Sequence, residues 1–338
     1  MNPNQSRRAF LQKVGALGAS LPVGLSLAPF SIASAKPKSR VAQIGQPDLL
    51  AGEGIAAVNR ITWQQLLPLV EEAVRAATGQ SDIQTAWRSL VSPKDIIGLK
   101  VNTLAGRGMS TRPAVAFAIA ASLTKAGIPA GNIIIWDRSS GEMRRAGYPL
   151  STEAEKVRCF GSDSLPEAYE GKPEVLRSVG SCFATLVSRY CTALINVPVL
   201  KDHDLSGITL GMKNFYGVIH NPNKYHDNHC DPYIADLSSH PYIREKLRLV
   251  IADALLCQYN GGPSLKSQWT FPLGGILAGT DPVAVDRVGA LIVEQEREKH
   301  EMPSLEAAGR PATHIATAAR LGLGTDQPDE IEWIVDSG

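Results

Sequence analysis

The stretch IIGLKVNTLAGRGMSTRPAVAFAIAASLTKAGIPAGNIIIW, residues 96–136, decides how the rest of the chain is read. Residues 96–102 form a short apolar run, the pattern of a strand buried on both faces. A glycine-bearing loop over 104–112 leads to Pro113. Proline suits the first turn of a helix, with Ser110 or Thr111 as cap. The helix spans 114–126 and stops at Gly127, and its many alanines suit close packing on a sheet. Residues 133–136 are the next strand. Strand, helix and strand in direct succession imply parallel pairing through a right-handed crossover.

Outward from this unit the same alternation continues. Trp63, Leu66, Leu67, Val70 and Val74 form a helical stripe over 62–77; Pro68 inside it predicts a kink or a start nearby, and Gly79 ends it. Strands are expected at 192–197, at 247–252 up to Asp253, and at 331–335. Residues 274–279 lead through Thr280, Asp281 and Pro282 into a helix over 283–298, and a short helix over 314–321 closes at Gly322. The class is α/β: a mostly parallel sheet with helices on both faces, in one large domain or two closely packed subdomains. Residues 220–241 fit neither period and read as a long polar loop, a rare and often functional feature.

The amino terminus reads as an address rather than a fold element. Ser6-Arg7-Arg8-Ala9-Phe10-Leu11 precedes a moderately apolar run that ends at Ala33-Ser34-Ala35. That is the layout of a cleaved secretory signal, and the paired arginines resemble a twin-arginine (Tat) signal. The expected division is a signal at 1–35, an extension with a helix at 36–95, an α/β domain at 96–325, and a strand with tail at 326–338. The expected compartment is the periplasm, with the Tat translocase as a transient partner. Removing Arg7, Arg8 and Lys13 from a formal net charge of +1 leaves −2. A near-neutral chain argues against a nucleic-acid partner. No later stretch is long and apolar enough to span a membrane. The five cysteines contain no C-x-x-C, which argues against ferredoxin-type cluster ligands. One or two disulfides are open to them, with Cys230 the candidate for a free thiol.

Histidine is scarce, yet five of the seven fall between 197 and 241: His203, His220, His226, His229 and His240. His220, His226, His229 and Cys230 offer imidazole and thiolate donors, which suit zinc, nickel, iron or copper. The same residues also suit a polar loop whose imidazoles only hydrogen-bond locally. Lys100, Asn102 and Arg112 flank the loop between the first strand and its helix, a place where a phosphate or carboxylate can sit on a helix N-terminus. Lys201 and His203 follow the strand at 192–197, so they belong to the same carboxyl edge, with Lys213 and Asn214 shortly after. Asp281 is well explained as an N-cap, and it also follows a strand, which would bring it to that edge.

Together, Lys100-Val101-Asn102, Ser110-Thr111-Arg112-Pro113, Leu200-Lys201-Asp202-His203, Met212-Lys213-Asn214, Gly262-Pro263 and Asp281 to Asp286 resemble the DUF362 family. That resemblance implies an α/β fold and leaves the activity open. Stretches 98–138 and 195–218 are also similar to nickel-pincer lactate racemases. There a T-R-P segment opens a helix, and a His is followed ten residues later by a cofactor-bearing Lys; Thr111-Arg112-Pro113, His203 and Lys213 match these elements. The racemases place a further His after the second strand, where this chain has Asp137-Arg138-Ser139-Ser140-Gly141. The expectation is an exported metal- or cofactor-dependent enzyme acting on a small anionic ligand. Lys100, Asn102, Arg112, Lys201 and Asn214 would bind it, with His203, Lys213 and Asp281 catalytic. The alternative is a metal- or cofactor-binding maturation protein serving exported redox enzymes.

Overall fold

The structure is a computed structural model that describes residues 37–50 and 54–336. The expected signal at 1–35 lies outside the described residues. From Pro37 onward the chain packs as one unit.

The central unit is β2 (Ile97–Val101), α3 (Pro113–Lys125) and β3 (Ile133–Asp137), with β2 and β3 parallel. Before it come β1 (Ser39–Gly45), α1 (Trp63–Thr78) and α2 (Ile83–Leu90). A capping box between Thr62 and Gln65 starts α1, and the helix runs through Pro68 to a left-handed Gly79. The start lies upstream of Pro68 because the cap, rather than the proline, satisfies the first-turn N–H groups. After β3 come α4 (Ser140–Ala146), β4 (Arg158–Gly161) and β5 (Ala193–Val197). Next are β6 (Val199–His203), β7 (Gly207–Thr209), α5 (Gly211–Asn214) and α6 (Tyr233–Ser238). The chain ends with β8 (Leu247–Gln258), β9 (Gly275–Gly279), α7 (Pro282–Lys299), α8 (Thr313–Arg320) and β10 (Ile331–Asp336).

The main path across the sheet runs β10-β1-β9-β8-β5-β2-β3-β4. Strands β8, β5, β2, β3 and β4 pair in parallel, while β9 is antiparallel to both its neighbours. Strand β8 outruns the expected end at Asp253 because it changes partner. Strand β5 pairs with its first half, and beyond Pro198 β6 pairs with its second half, Val199 opposite Asp253 and Lys201 opposite Gln258. The sequence is apolar enough to bury both faces. Ile97, Leu99 and Val101 join Val70, Trp87, Ile119 and Ile135 in one core. Trp136, Leu194, Val250, Leu210 and Val288 form the other. Alternation along β2 therefore turns Lys100 away from α1–α3 and toward the side of Trp136. Residues 220–241 are a loop only in their first half, since α6 begins at Tyr233. All five cysteines are free thiols, so no disulfide forms. Among the described residues no helix is long and apolar enough to cross a membrane.

Candidate functional site

A cavity of about 160 Å3 opens where β2, β3 and β6 end. This is the carboxyl edge, where ligands bind in parallel α/β sheets. Lys100, Asn102, Lys201, His203, Lys213, Asn214 and His226 line it, together with Asp137, Arg138, Glu142, Tyr216 and Gly217. Seven of the sequence-expected residues thus share one cavity.

The floor is a polar lattice. Lys100 Nζ lies 2.8 Å from Asp137 Oδ1 and donates to Val101 O at 2.7 Å. Asp137 Oδ2 accepts from Thr103 N at 2.8 Å and from its hydroxyl at 2.7 Å. Asn214 Nδ2 donates to Lys100 O (3.0 Å) and to Asn196 Oδ1 (2.7 Å). The fit requires Gly217: a Cβ there would stand 2.6 Å from Lys100 Nζ and 2.9 Å from Asp137 Oδ1.

Lys201 and Lys213 are placed differently. Lys201 is 1% exposed, and its amine donates to Met109 O at 2.9 Å and Asn102 Oδ1 at 3.4 Å. Its neighbour Asp202 faces away and pairs with Arg310 at 2.7 Å. Burial pulls the Lys201 amine down to about 7. Lys213 is 6% exposed and sits on α5. Asp286 caps that helix, its carboxylate accepting from Gly211 N (2.7 Å) and Met212 N (3.1 Å). The Lys213 amine lies 3.3 Å from His226 Nε2, 3.6 Å from Cys230 Sγ and 3.9 Å from the centre of the Tyr216 ring. Burial lowers this amine to about 8. Burial also raises the Cys230 thiol, so both groups of that pair are pushed toward neutrality.

Hydrogen bonds fix both imidazoles. Pro222 O, which can only accept, lies 3.1 Å from His226 Nδ1, so Nδ1 carries the proton and Nε2 is the bare acceptor facing Lys213. His203 Nδ1 accepts from the backbone N–H of Leu205 (3.1 Å) and Ser206 (3.4 Å). Asp204 Oδ1 also lies 3.1 Å from that nitrogen, but its side chain is 62% exposed and solvated, so the two fixed backbone donors decide the tautomer. Nε2–H is therefore the free edge of His203. Burial, then the charge of Lys213, holds His203 down to about 2. This environment favours the neutral imidazole, with Nε2–H as its hydrogen-bond donor.

Other expected residues are elsewhere. Arg112 is buried against Asp253, with Nη1 2.8 Å from Oδ1 and its backbone N–H 2.8 Å from Oδ2. It borders a separate cavity with Arg107 and Pro113. Asp281 caps α7 and binds Ser39 and Thr325. Because β9 runs antiparallel to β8, this junction lies at the opposite edge of the sheet from the cavity. His220 meets Tyr169 edge-on, and His229 Nδ1 faces Leu205 O at 3.2 Å. Asn228, His229 and Cys230 are three successive residues with φ of 49°, 56° and 60°. This strained left-handed turn directs Cys230 inward and leaves His229 outside. Among the described residues no three His, Cys, Asp or Glu side chains gather as a metal would need. His226 and Cys230 flank an amine instead, so His220, His226, His229 and Cys230 do not fit a shared coordination sphere.

Sequence reasoning passed over Asp137, Tyr216, Gly217 and Asp286 as working parts. Asp137 had a signal: it ends β3 beside the strand that carries Lys100.

The DUF362 family, described as a domain of unknown function, matches residues 97–291. No curated protein matches the chain. A Thermotoga maritima protein of solved crystal structure is similar at 11% identity with a TM-score of 0.43, over 71% of this chain and 60% of that one. The chain thus spans less than two thirds of that protein's length.

Proposed function

This chain belongs to the DUF362 family, and from that premise we propose that it is an enzyme acting on a small anionic substrate held in the lysine-lined cavity. One observation carries the reading. Each carboxylate of the wall already has its own cation, Asp137 with Lys100 and Glu142 with Arg138. Among the described residues, Lys201 and Lys213 have no carboxylate at ion-pair distance. Burying an amine without a counter-charge is costly, and a carboxylate or phosphate supplies the missing charge. Perturbed groups facing a concave site are the usual mark of a functional one.

Export is part of the same proposal and rests on Ser6-Arg7-Arg8-Ala9-Phe10-Leu11 and the Ala33-Ser34-Ala35 site. Racemase-type hydride chemistry is left out of it. The region where the racemases carry their further His, Asp137 to Gly141 here, holds no His, and its Asp137 is committed to Lys100. For the metal-carrier alternative, no three His, Cys, Asp or Glu side chains gather among the described residues, where structural zinc takes four donors.

Calorimetric titration at pH 7 with oxalate and with inorganic phosphate tests the reading. At least one anion is expected to bind, and Lys201→Met or Lys213→Met to weaken it tenfold or more, about 1.4 kcal/mol. A folded protein that binds neither anion at millimolar concentration ends the proposal. Stoichiometric Zn2+ or Ni2+ binding that disappears in His226→Ala would favour the carrier instead.

A further inference from the structure

We propose that Lys213 forms an imine with the carbonyl carbon of a small oxo acid, a carboxylate bearing an adjacent aldehyde or ketone, with His226 as its base and His203 as donor to the carbonyl oxygen. The inference rests on the anionic-substrate reading and adds the class of substrate to it.

The two unpaired amines of the cavity are not equivalent. Lys201 is held by two oxygen acceptors, Met109 O and Asn102 Oδ1, which pin its amine in place as a hydrogen-bond donor to a carboxylate. No oxygen lies at hydrogen-bond distance from the Lys213 amine among the described residues. Around it are a nitrogen lone pair, a thiol and an aromatic face. The ring of Tyr216 offers an ammonium about 1–2 kcal/mol, well short of the solvation it loses on burial. The free amine is thus accessible near neutral pH, and a free amine is a nucleophile toward carbonyl carbon.

The tautomers supply the rest. His226 Nε2 is bare and 3.3 Å from the amine, so it can take the proton that Lys213 sheds. His203 presents Nε2–H, for which no acceptor lies within reach among the described residues. Its ring centre is 6.0 Å from that of His226, so a base and a donor stand on the same stretch of wall.

The step balances without an oxidant or reductant. The Lys213 nitrogen lone pair attacks the carbonyl carbon while His226 accepts one N–H proton. The carbonyl oxygen, hydrogen-bonded by His203, takes up the proton held by His226 and becomes the hydroxyl of a carbinolamine. That hydroxyl leaves as water with the second N–H proton, which His226 passes to it as the C=N bond forms.

The test is reductive trapping. The purified protein is treated with pyruvate or glyoxylate and sodium borohydride, and adducts are located by peptide mass mapping. The expected result is one dominant adduct on Lys213, absent in Lys213→Arg. His226→Gln is expected to form it roughly a hundredfold more slowly. Adduct formation should rise with pH through about 8, as the Lys213 amine loses its proton. Adducts scattered over surface lysines, or placed on Lys201, overturn the inference, as does an unchanged rate in His226→Gln. Mapping the unmodified protein needs no variant, so a misfolded variant does not decide the matter. Oxalate titration of the same sample separates the two readings. Oxalate binding without a Lys213 adduct removes the oxo-acid inference alone; loss of both removes the anionic-substrate reading as well.

Discussion

Replacing Lys201 by methionine should stabilise the free protein, although it removes part of the site. The Lys201 amine is lowered from 10.5 to about 7, with burial as the first cause. Each pKa unit corresponds to about 1.4 kcal/mol, so at pH 7 the buried ammonium costs roughly 4 kcal/mol. The side chain is 1% exposed, so solvent does not screen that cost. Methionine fills a similar volume but surrenders the hydrogen bonds to Met109 O and Asn102 Oδ1, about 1 kcal/mol each. The net expectation is a gain of roughly 1–3 kcal/mol at pH 7 in urea denaturation. The pH dependence is the sharper criterion. Because the folded-state pKa is depressed, the unfolded chain binds more protons between pH 7 and 10.5. Wild-type stability therefore rises with pH across that window, by up to about 1.4 kcal/mol per unit from this group. Lys201→Met lacks the rise, so its advantage shrinks toward pH 10.5. Lys213 contributes its own rise above about 8 in both proteins, and its effect cancels in the difference. A variant less stable than wild type at pH 7, or a difference that ignores pH, would refute the reasoning.

Three further outcomes follow from other parts of the structure. Gly217→Ala should drive a methyl group into the Lys100–Asp137 pair, cost about 1–3 kcal/mol in denaturant titration and abolish oxalate binding; a variant that binds oxalate like wild type contradicts the close approach. Arg112→Met should leave the buried Asp253 charge unpaired and cost roughly 3–5 kcal/mol by the same titration, and where the variant folds, its oxalate affinity should be unchanged. His203 is depressed from 6.5 to about 2, so its neutral form is favoured on folding and stability should fall as pH drops below 6.5 toward 2; His203→Gln should flatten that acid limb, and an identical limb would mean the imidazole is not desolvated as described.

Much of this arrangement was legible in the sequence, and the failures have specific causes. The β2–α3–β3 unit declared itself because Pro113 and Gly127 punctuate a clean change of period. Lys100, Lys201 and His203 reach the expected edge because β2 and β6 both run parallel toward it. Asp281 was misplaced because a strand buried on both faces looks the same in either direction, and β9 is antiparallel. Arg112 was expected to face a ligand because its partner, Asp253, is 141 residues away and leaves no local trace. The histidine cluster misled for a geometric reason. Neighbours in sequence diverge in a left-handed turn, so Cys230 reaches Lys213 while His229 does not. Asp286 stood in the same motif as Asp281, yet only the packing of α7 against α5 shows which of the two serves the site.

That last contact sets how far the protein can be cut down. Every side chain lining the cavity lies between Lys100 and Pro263, so a fragment ending there would carry the whole wall. It would lack the carboxylate 75 residues downstream of Gly211 that caps the helix presenting Lys213. The smallest portion able to present its amine must therefore extend through Asp286, and the stretch from 264 to 286 is a keystone of the pocket rather than an appendage.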